Sequence, residues 1–270
     1  MNSWAALDAE LALWSHGDRA RSADAGVGVG VGVGVGATLW WRDDDAIQMS
    51  EPLRTMLALA KVHAAPVALA VVPLPVHEDL PGELAPYDVT VIQHGVAHID
   101  RAKRPAKKSE FPPGLKLDDA LGEILDGWRR LYGLFGERTQ PVFVPPWNRI
   151  DPLIADALAT EFQAVSTFGE IRAGSKSAQI NTHVDVIDWR GTRDFVGDEH
   201  ALGQLVRHLR ARRLRQVQQS TPTGILTHHL VHSIATTRFI ERLVEFVASD
   251  ARIDWVNVAQ AAVGERPIDR

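Results

Sequence analysis

Acidic and imidazole side chains in this chain fall in short blocks that lie far apart along it. Asp43, Asp44 and Asp45 are consecutive, and His94 and His98 are spaced i and i+4. Asp185 and Asp188 precede Trp189, and His228, His229 and His232 follow Thr227. The i, i+4 spacing puts the imidazoles of His94 and His98 on one face of a helical turn, from which both reach a single ion. Three adjacent carboxylates repel one another and are costly unless a cation or hydrogen bonds compensate them. Two histidines and a carboxylate with open positions make a hydrolytic metal site, in which the ion acidifies a water and polarises a carbonyl. Asp45, His94 and His98 are the candidate ligands. With no cysteine in the chain, only imidazole and carboxylate donors remain, and among divalent ions zinc fits them best. Asp44, beside the ligand, can take a proton from the water, and His228, across the site, can give one to a departing amine.

These residues act together only if a fold gathers them. Short apolar runs at 37–41, 66–72, 89–93, 141–144, 164–168, 184–187, 224–227 and 253–256 read as strands. Amphipathic stretches at 53–63, 117–135, 152–161, 200–214 and 235–249 read as helices. Such alternation predicts an α/β fold with parallel strands and helices outside, a (β/α) barrel or a related sheet. In barrels the active site collects at the C-terminal ends of the strands. The Asp block, the His94–His98 block, Pro145-Pro146-Trp147-Asn148 and Thr227-His228 all follow a predicted strand. Ahead of these runs, residues 4–15 form an amphipathic packing arm, and Val-Gly repeats up to Gly36 read as a flexible insert, since alternate glycines offer nothing to pack. The expected organisation is an arm and insert over 1–36 and one catalytic domain over 37–270.

At 270 residues, 45% hydrophobic and 23% charged, the chain can bury a full core. Its net charge of −5 gives no general attraction to nucleic acid or anionic membrane, so neither is an expected partner. No apolar run approaches the roughly 20 residues of a membrane span. Asp8 and Glu10 interrupt the N-terminal apolar residues, unlike a secretory signal, so a cytoplasmic protein is expected. The basic segment 101–108 reads as a solvated loop on the active-site rim, able to attract an anionic substrate. Residues 207–215 read as a solvated helix face, with Leu205, Leu209 and Leu214 turned inward.

Between residues 42 and 229, five short motifs in order resemble those of the polysaccharide deacetylases with a NodB-type domain, carbohydrate esterase family 4. The resemblance implies a distorted (β/α) barrel of about seven strands. Asp44-Asp45 is similar to the family's Asp-Asp pair, base then metal ligand, with Asp43-Asp44 the competing register. His94 through His98 is similar to its His-x-x-x-His, with Gly95 where Ser or Thr is usual. Val144-Pro145-Pro146-Trp147 is similar to Arg-x-Pro-Tyr, with Val144 in place of the Arg that orients the base, and Arg42, Arg149 and Arg190 are candidates to replace it. The Trp147 N–H would stabilise the oxyanion, with Pro146 and Trp189 lining the substrate. Asp185-Val186-Ile187-Asp188-Trp189 matches Asp-x-x-Asp-Trp, which implies that Asp188 holds and tunes the general acid. Leu226-Thr227-His228 matches Leu-x-His and makes His228 that acid. No primary role falls to His183, His229 or His232. The resemblance implies a metal-dependent hydrolase removing an acetyl or acyl group from an N-acetylated sugar or related amide, with a small molecule or oligosaccharide as substrate. The competing readings are hydrolysis of a non-sugar C–N bond, as in a cyclic ureide or formamide, and a catalytically silent carbohydrate-binding relative, which Val144 would favour.

Overall fold

The computed structural model describes residues 3–14 and 36–263. In chain order the helices and strands are α1 (Ser3–Trp14), β1 (Ala37–Ala46), α2 (Glu51–Val62), β2 (Val67–Val71), α3 (Leu80–Leu84) and β3 (Val89–His94), then α4 (Leu117–Phe135), β4 (Thr139–Val144), α5 (Pro152–Ala157), β5 (Ala164–Val165) and β6 (Val184–Asp185), and finally α6 (Asp198–Arg213), β7 (Thr223–Thr227), α7 (Ile234–Ser249), β8 (Ile253–Trp255) and α8 (Val258–Val263). Every predicted strand and helix has a counterpart. The Val-Gly repeat, except Gly36, lies outside the described residues.

All strand pairs are parallel, and the order β5-β4-β3-β2-β1-β7-β6 curls into a half-barrel, with β8 joining the first residues of β1. The helices surround it in a distorted (β/α) barrel. Because β1 is paired along both edges, its side chains are buried on both faces, and the sheet has two cores. Leu39, Trp41, Leu69 and Val91 pack outward against α1, α2, α6 and α7 through Leu7, Leu57, Leu205 and Leu243. Trp40, Ala68, Ala70, Ile92 and Val144 fill the interior. No described helix is long and apolar enough to cross a membrane.

α1 does pack as an arm, with Trp4 Nε1 donating to Asp198 (2.8 Å) and Glu10 paired with Arg213 (2.6 Å) on α6. This corrects the expected solvated face at 207–215. Arg212 is buried and donates to Thr38 O (2.7 Å) and Thr223 Oγ1 (3.1 Å), tying α6 to β1 and β7, while Leu214 is exposed. A guanidinium with five donors satisfies several buried carbonyl and hydroxyl groups that a leucine could not.

Beside Arg212, the rings of His183 and His208 stack 3.4 Å apart. His183 Nδ1 accepts from Gly224 N (3.0 Å), so it serves the backbone of β7. Burial, with the Arg212 charge, pushes His208 down to about 3, and burial with the neighbouring His208 and Arg212 charges holds His183 well below its ordinary value. A histidine kept neutral by folding contributes no penalty above its unfolded pKa of roughly 6.5, and costs stability as pH falls below that value, because only the unfolded chain then binds the proton. Stability is therefore expected to fall from about pH 6.5 downward, and His208→Gln should remove about 2 kcal/mol of that loss by about pH 4.5. Urea melts across this range check it, and an unchanged slope in the variant contradicts it.

Candidate active site

Strand alternation on β1 decides where each acid goes. Successive strand side chains point to opposite faces. Leu39 and Trp41 face the outer core and Trp40 the interior, so Asp43 faces outward and Arg42 and Asp44 face inward. The strand then breaks step. Asp45 has φ 72°, and Asp43 to Ala46 on β1 spans only Leu69 to Val71 on β2. This bulge turns Asp45 so that two consecutive carboxylates serve the same cavity, at the cost of a left-handed backbone at a non-glycine residue.

Asp45 Oδ1 lies 3.0 Å from His94 Nε2 and 3.2 Å from His98 Nε2. The ligand atoms of these residues all fall within 4.8 Å of one another. His94 Nδ1 is 3.1 Å from Val144 O, which can only accept, so Nδ1 carries a proton and Nε2 is the atom turned to Asp45. Without an ion, Nε2 meets the carboxylate as the N–H of a protonated ring; with Nδ1 alone protonated, the Nε2 lone pair and the carboxylate oxygen would share a cation. Two imidazole nitrogens and one carboxylate oxygen fit a divalent cation. Burial pushes the Asp45 carboxyl upward, but hydrogen bonds from His94 and His98 outweigh it and hold the pKa far below the carboxylate range. Burial works against a charged His94, yet the Asp44 charge and the bond to Asp45 raise its pKa. The side chains of Asp45 and His98 are 30% and 28% exposed and that of His94 only 2%, so the open side faces solvent.

The two histidines are not on a helix, contrary to the sequence expectation. His94 ends β3, and Gly95 and His98 adopt left-handed φ values of 56° and 58°. Buried Glu110 holds this bend by accepting from Val96 N (3.0 Å) and Ala97 N (2.7 Å). A Cβ on Gly95 would lie 2.5 Å from Pro146 Cγ and closer still to Glu110 Oε2, so no side chain fits there. The absent Ser or Thr has thereby a steric cause.

Arg42 is fully buried and grips Asp44, donating from Nη2 to Oδ2 (3.0 Å) while Nε forms an ion pair with Oδ1 at 2.9 Å. It also donates to Asn148 Oδ1 (2.7 Å) and Ser166 Oγ (2.8 Å). Of the arginines considered as replacements at Val144, Arg42 is the one that reaches Asp44; Arg149 instead donates to Lys108 O (3.1 Å). His228 Nε2 stands 3.8 Å from Asp44 Oδ2, and its ring meets Trp189 edge-on at 4.7 Å. Asp43 looks away, bound by His229 Nδ1 (2.5 Å), His229 N (3.0 Å) and Thr227 Oγ1 (2.6 Å). Burial opposes its ionisation, but the His229 charge and hydrogen bond lower its pKa.

Asp188 does not support His228. Its carboxylate accepts from the N–H groups of Arg190 (3.3 Å), Gly191 (3.0 Å) and Thr192 (3.2 Å) and closes a turn, with no bond or ion pair to His228 among the described residues. Of Asp185 and Asp188, the carboxylate electrostatically coupled to His228 is Asp185, whose pKa burial raises against the opposing His228 charge. Asp185 accepts from Trp189 Nε1 (2.9 Å) and so fixes the indole beside His228. Trp147 and Asn148 are both left-handed (φ 57° and 56°), the Trp147 ring packs 4.5 Å from that of His98, and Pro146 is buried. Glu110 and Ser166 were not foreseen, because single polar residues in loops carry no periodic signal.

No family model matches the chain, and no curated protein sequence is similar to it. Solved structures are. One is a Mycobacterium smegmatis protein named as a polysaccharide deacetylase (TM-score 0.62, 15% identity, 84% of this chain and 89% of that one). Another is a family 4 acetyl xylan esterase from Clostridium thermocellum in complex with a cobalt ion (TM-score 0.53, 13% identity, 84% and 90%). A third is a family 4 pseudoenzyme from Bacillus anthracis (TM-score 0.53, 14% identity, 84% and 66%). The chain has the NodB-type deacetylase fold. Within this fold the Glu110 brace stands directly behind the candidate ligands. Glu110→Gln leaves one of the Val96 and Ala97 N–H groups facing an amide donor, and is expected to weaken divalent-ion binding about 10- to 100-fold while the fold persists. Calorimetric zinc titration alongside circular dichroism checks this; unchanged affinity contradicts it.

Proposed function

We propose that the protein is a metal-dependent hydrolase that removes an acetyl or acyl group from the nitrogen of an N-acylated sugar or related amide. The observation that carries this reading is the convergence of Asp45, His94 and His98 next to an Arg42-gripped Asp44, with His228 3.8 Å from that same Asp44. Solved neighbours named as deacetylases and an acetyl xylan esterase support it through the shared fold.

Asp45, His94 and His98 would hold a divalent ion, zinc by the chemistry of the donors, which when bound polarises the acyl carbonyl and makes a water acidic. Asp44 accepts the proton of the attacking water, and Arg42 keeps both of its oxygens in register. The Trp147 N–H donates to the oxygen that gains negative charge as the carbonyl is attacked. His228 hands a proton to the departing amine, held against Trp189, which Asp185 fixes in turn. Val144, the feature that favoured a silent binder, is answered by Arg42, which supplies a guanidinium to the base from the base's own strand.

Acetylated amino sugars assayed beside small amides, formamides and cyclic ureides test the reading. Asp45→Ala and His94→Ala are expected to lose metal and turnover together. Asp44→Asn is expected to keep the metal and lose turnover by about 10²- to 10⁴-fold. Full turnover in Asp44→Asn, or hydrolysis that survives chelation, overturns the proposal.

A further inference from the structure

We infer that the acylated substrate carries an anionic group, a phosphate ester or a carboxylate, received by a cationic rim that Lys108 and Arg149 build beside the candidate site. This rests on the hydrolase reading and deepens it.

The rim is distinguished first by charge. The chain is acidic overall, at −5. Yet Lys103, Arg104, Lys107 and Lys108 are exposed within one short loop, and none has a carboxylate within ion-pair distance among the described residues; Asp100 feels the Arg104 and Lys108 charges from farther off, one anion against four cations. Arg101, at the start of the same loop, does pair with Glu123. Cations left without partners next to a cleft raise the local concentration of anions and steer them in.

The second observation is that the loop is held in place. Asp100 Oδ1 accepts from Ala102 N (3.0 Å) and Ser109 N (3.1 Å), and Arg101 N donates to Ser109 O (2.9 Å). Arg149 Nη1 donates to Lys108 O (3.1 Å), and Ser109 Oγ donates to Arg149 O (3.0 Å). These bonds set the Lys108 ammonium 5.5 Å from the centre of the Trp147 ring, which itself packs 4.5 Å from the ring of His98. One aromatic ring thus separates a free cation from a candidate metal ligand.

The third is room. From Asn148, the partner of Arg42, a cavity of about 370 Å³ opens between Arg149, Thr167, Glu170, Arg172 and Gln179. That volume suits a sugar substituent. Arg172 is neutralised by Asp156, and Glu170 is an anion on the same wall, so Arg149 is, among the described residues, the cavity's cation without an ion pair, and it joins the cavity to Lys108 through its bond to Lys108 O.

The test compares hydrolysis of N-acetylglucosamine, N-acetylglucosamine 6-phosphate and N-acetylmuramic acid by wild type, Lys108→Gln, Arg149→Gln and the double variant. Wild type is expected to prefer at least one anionic substrate by about tenfold or more in kcat/KM at low salt, with the preference shrinking as salt rises. The charge-removing variants should cut the anionic-to-neutral ratio, mainly through KM. The phosphate and carboxylate arms tell which anion is read. Equal use of neutral and anionic substrates, or variants that slow both alike, overturns the inference and leaves the hydrolase reading standing. If no acetylated sugar is hydrolysed at all, calorimetric binding of glucosamine 6-phosphate against glucosamine decides. Tighter binding of the phosphate that is lost in the double variant upholds the rim, and equal binding overturns it.

Discussion

Three carboxylates on consecutive residues at the buried end of a strand can coexist only if each receives its own positive partner. Two like charges about 4 Å apart repel by on the order of 4 kcal/mol at an effective dielectric constant of about 20. The chain resolves this by sending the three in different directions. Asp43 faces the helices and is bound by His229, Asp44 faces the interior and is gripped by Arg42, and Asp45 is turned by a bulge onto His94 and His98. The last pairing sets two imidazole nitrogens and one carboxylate oxygen within reach of one another, the donor set a divalent cation takes.

Everything around the site serves that distribution. The central position of β1 buries both of its faces, which makes unpaired charge there expensive and paired charge well defined. The bend after β3 exists because Glu110 satisfies two of its N–H groups and because Gly95 leaves room for Pro146. Arg42 ties β1 to the loops after β4 and β5 through Asn148 and Ser166, so Asp44 is positioned by three segments at once. Asp44 and His228 then stand 3.8 Å apart with different supports, one gripped by a guanidinium and the other packed against an indole.

Much of this was legible in the sequence. Strand and helix positions followed from apolar periodicity, and the sites at strand ends followed from the parallel architecture. β1 runs five residues past its predicted end at Trp41, to Ala46, because charged residues read as a loop until their partners are known. The period-two rule, applied through Trp40 and Trp41, separates Asp43 from Asp44, but the bulge that redirects Asp45 has no sequence signature. The His94–His98 spacing suggested a helical turn, whereas two left-handed residues and a distant glutamate produce the same convergence. The match of Asp188 to a motif said nothing of geometry: a carboxylate followed closely by Arg190, Gly191 and Thr192 is captured by their N–H groups before it can reach His228. Arg212 sits in an arginine-rich run that reads as solvated, and only the three-dimensional neighbourhood of Thr38 and Thr223 reveals it as a buried anchor.

X-ray absorption spectroscopy at the zinc edge, on protein loaded with one equivalent of zinc, tests the convergence of Asp45, His94 and His98 most directly. The expected spectrum shows a four- or five-coordinate ion with about two imidazole nitrogens and oxygen donors at roughly 2.0–2.2 Å, and loss of imidazole scattering in His94→Ala. Zinc bound without imidazole, or no stoichiometric binding at all, would contradict it.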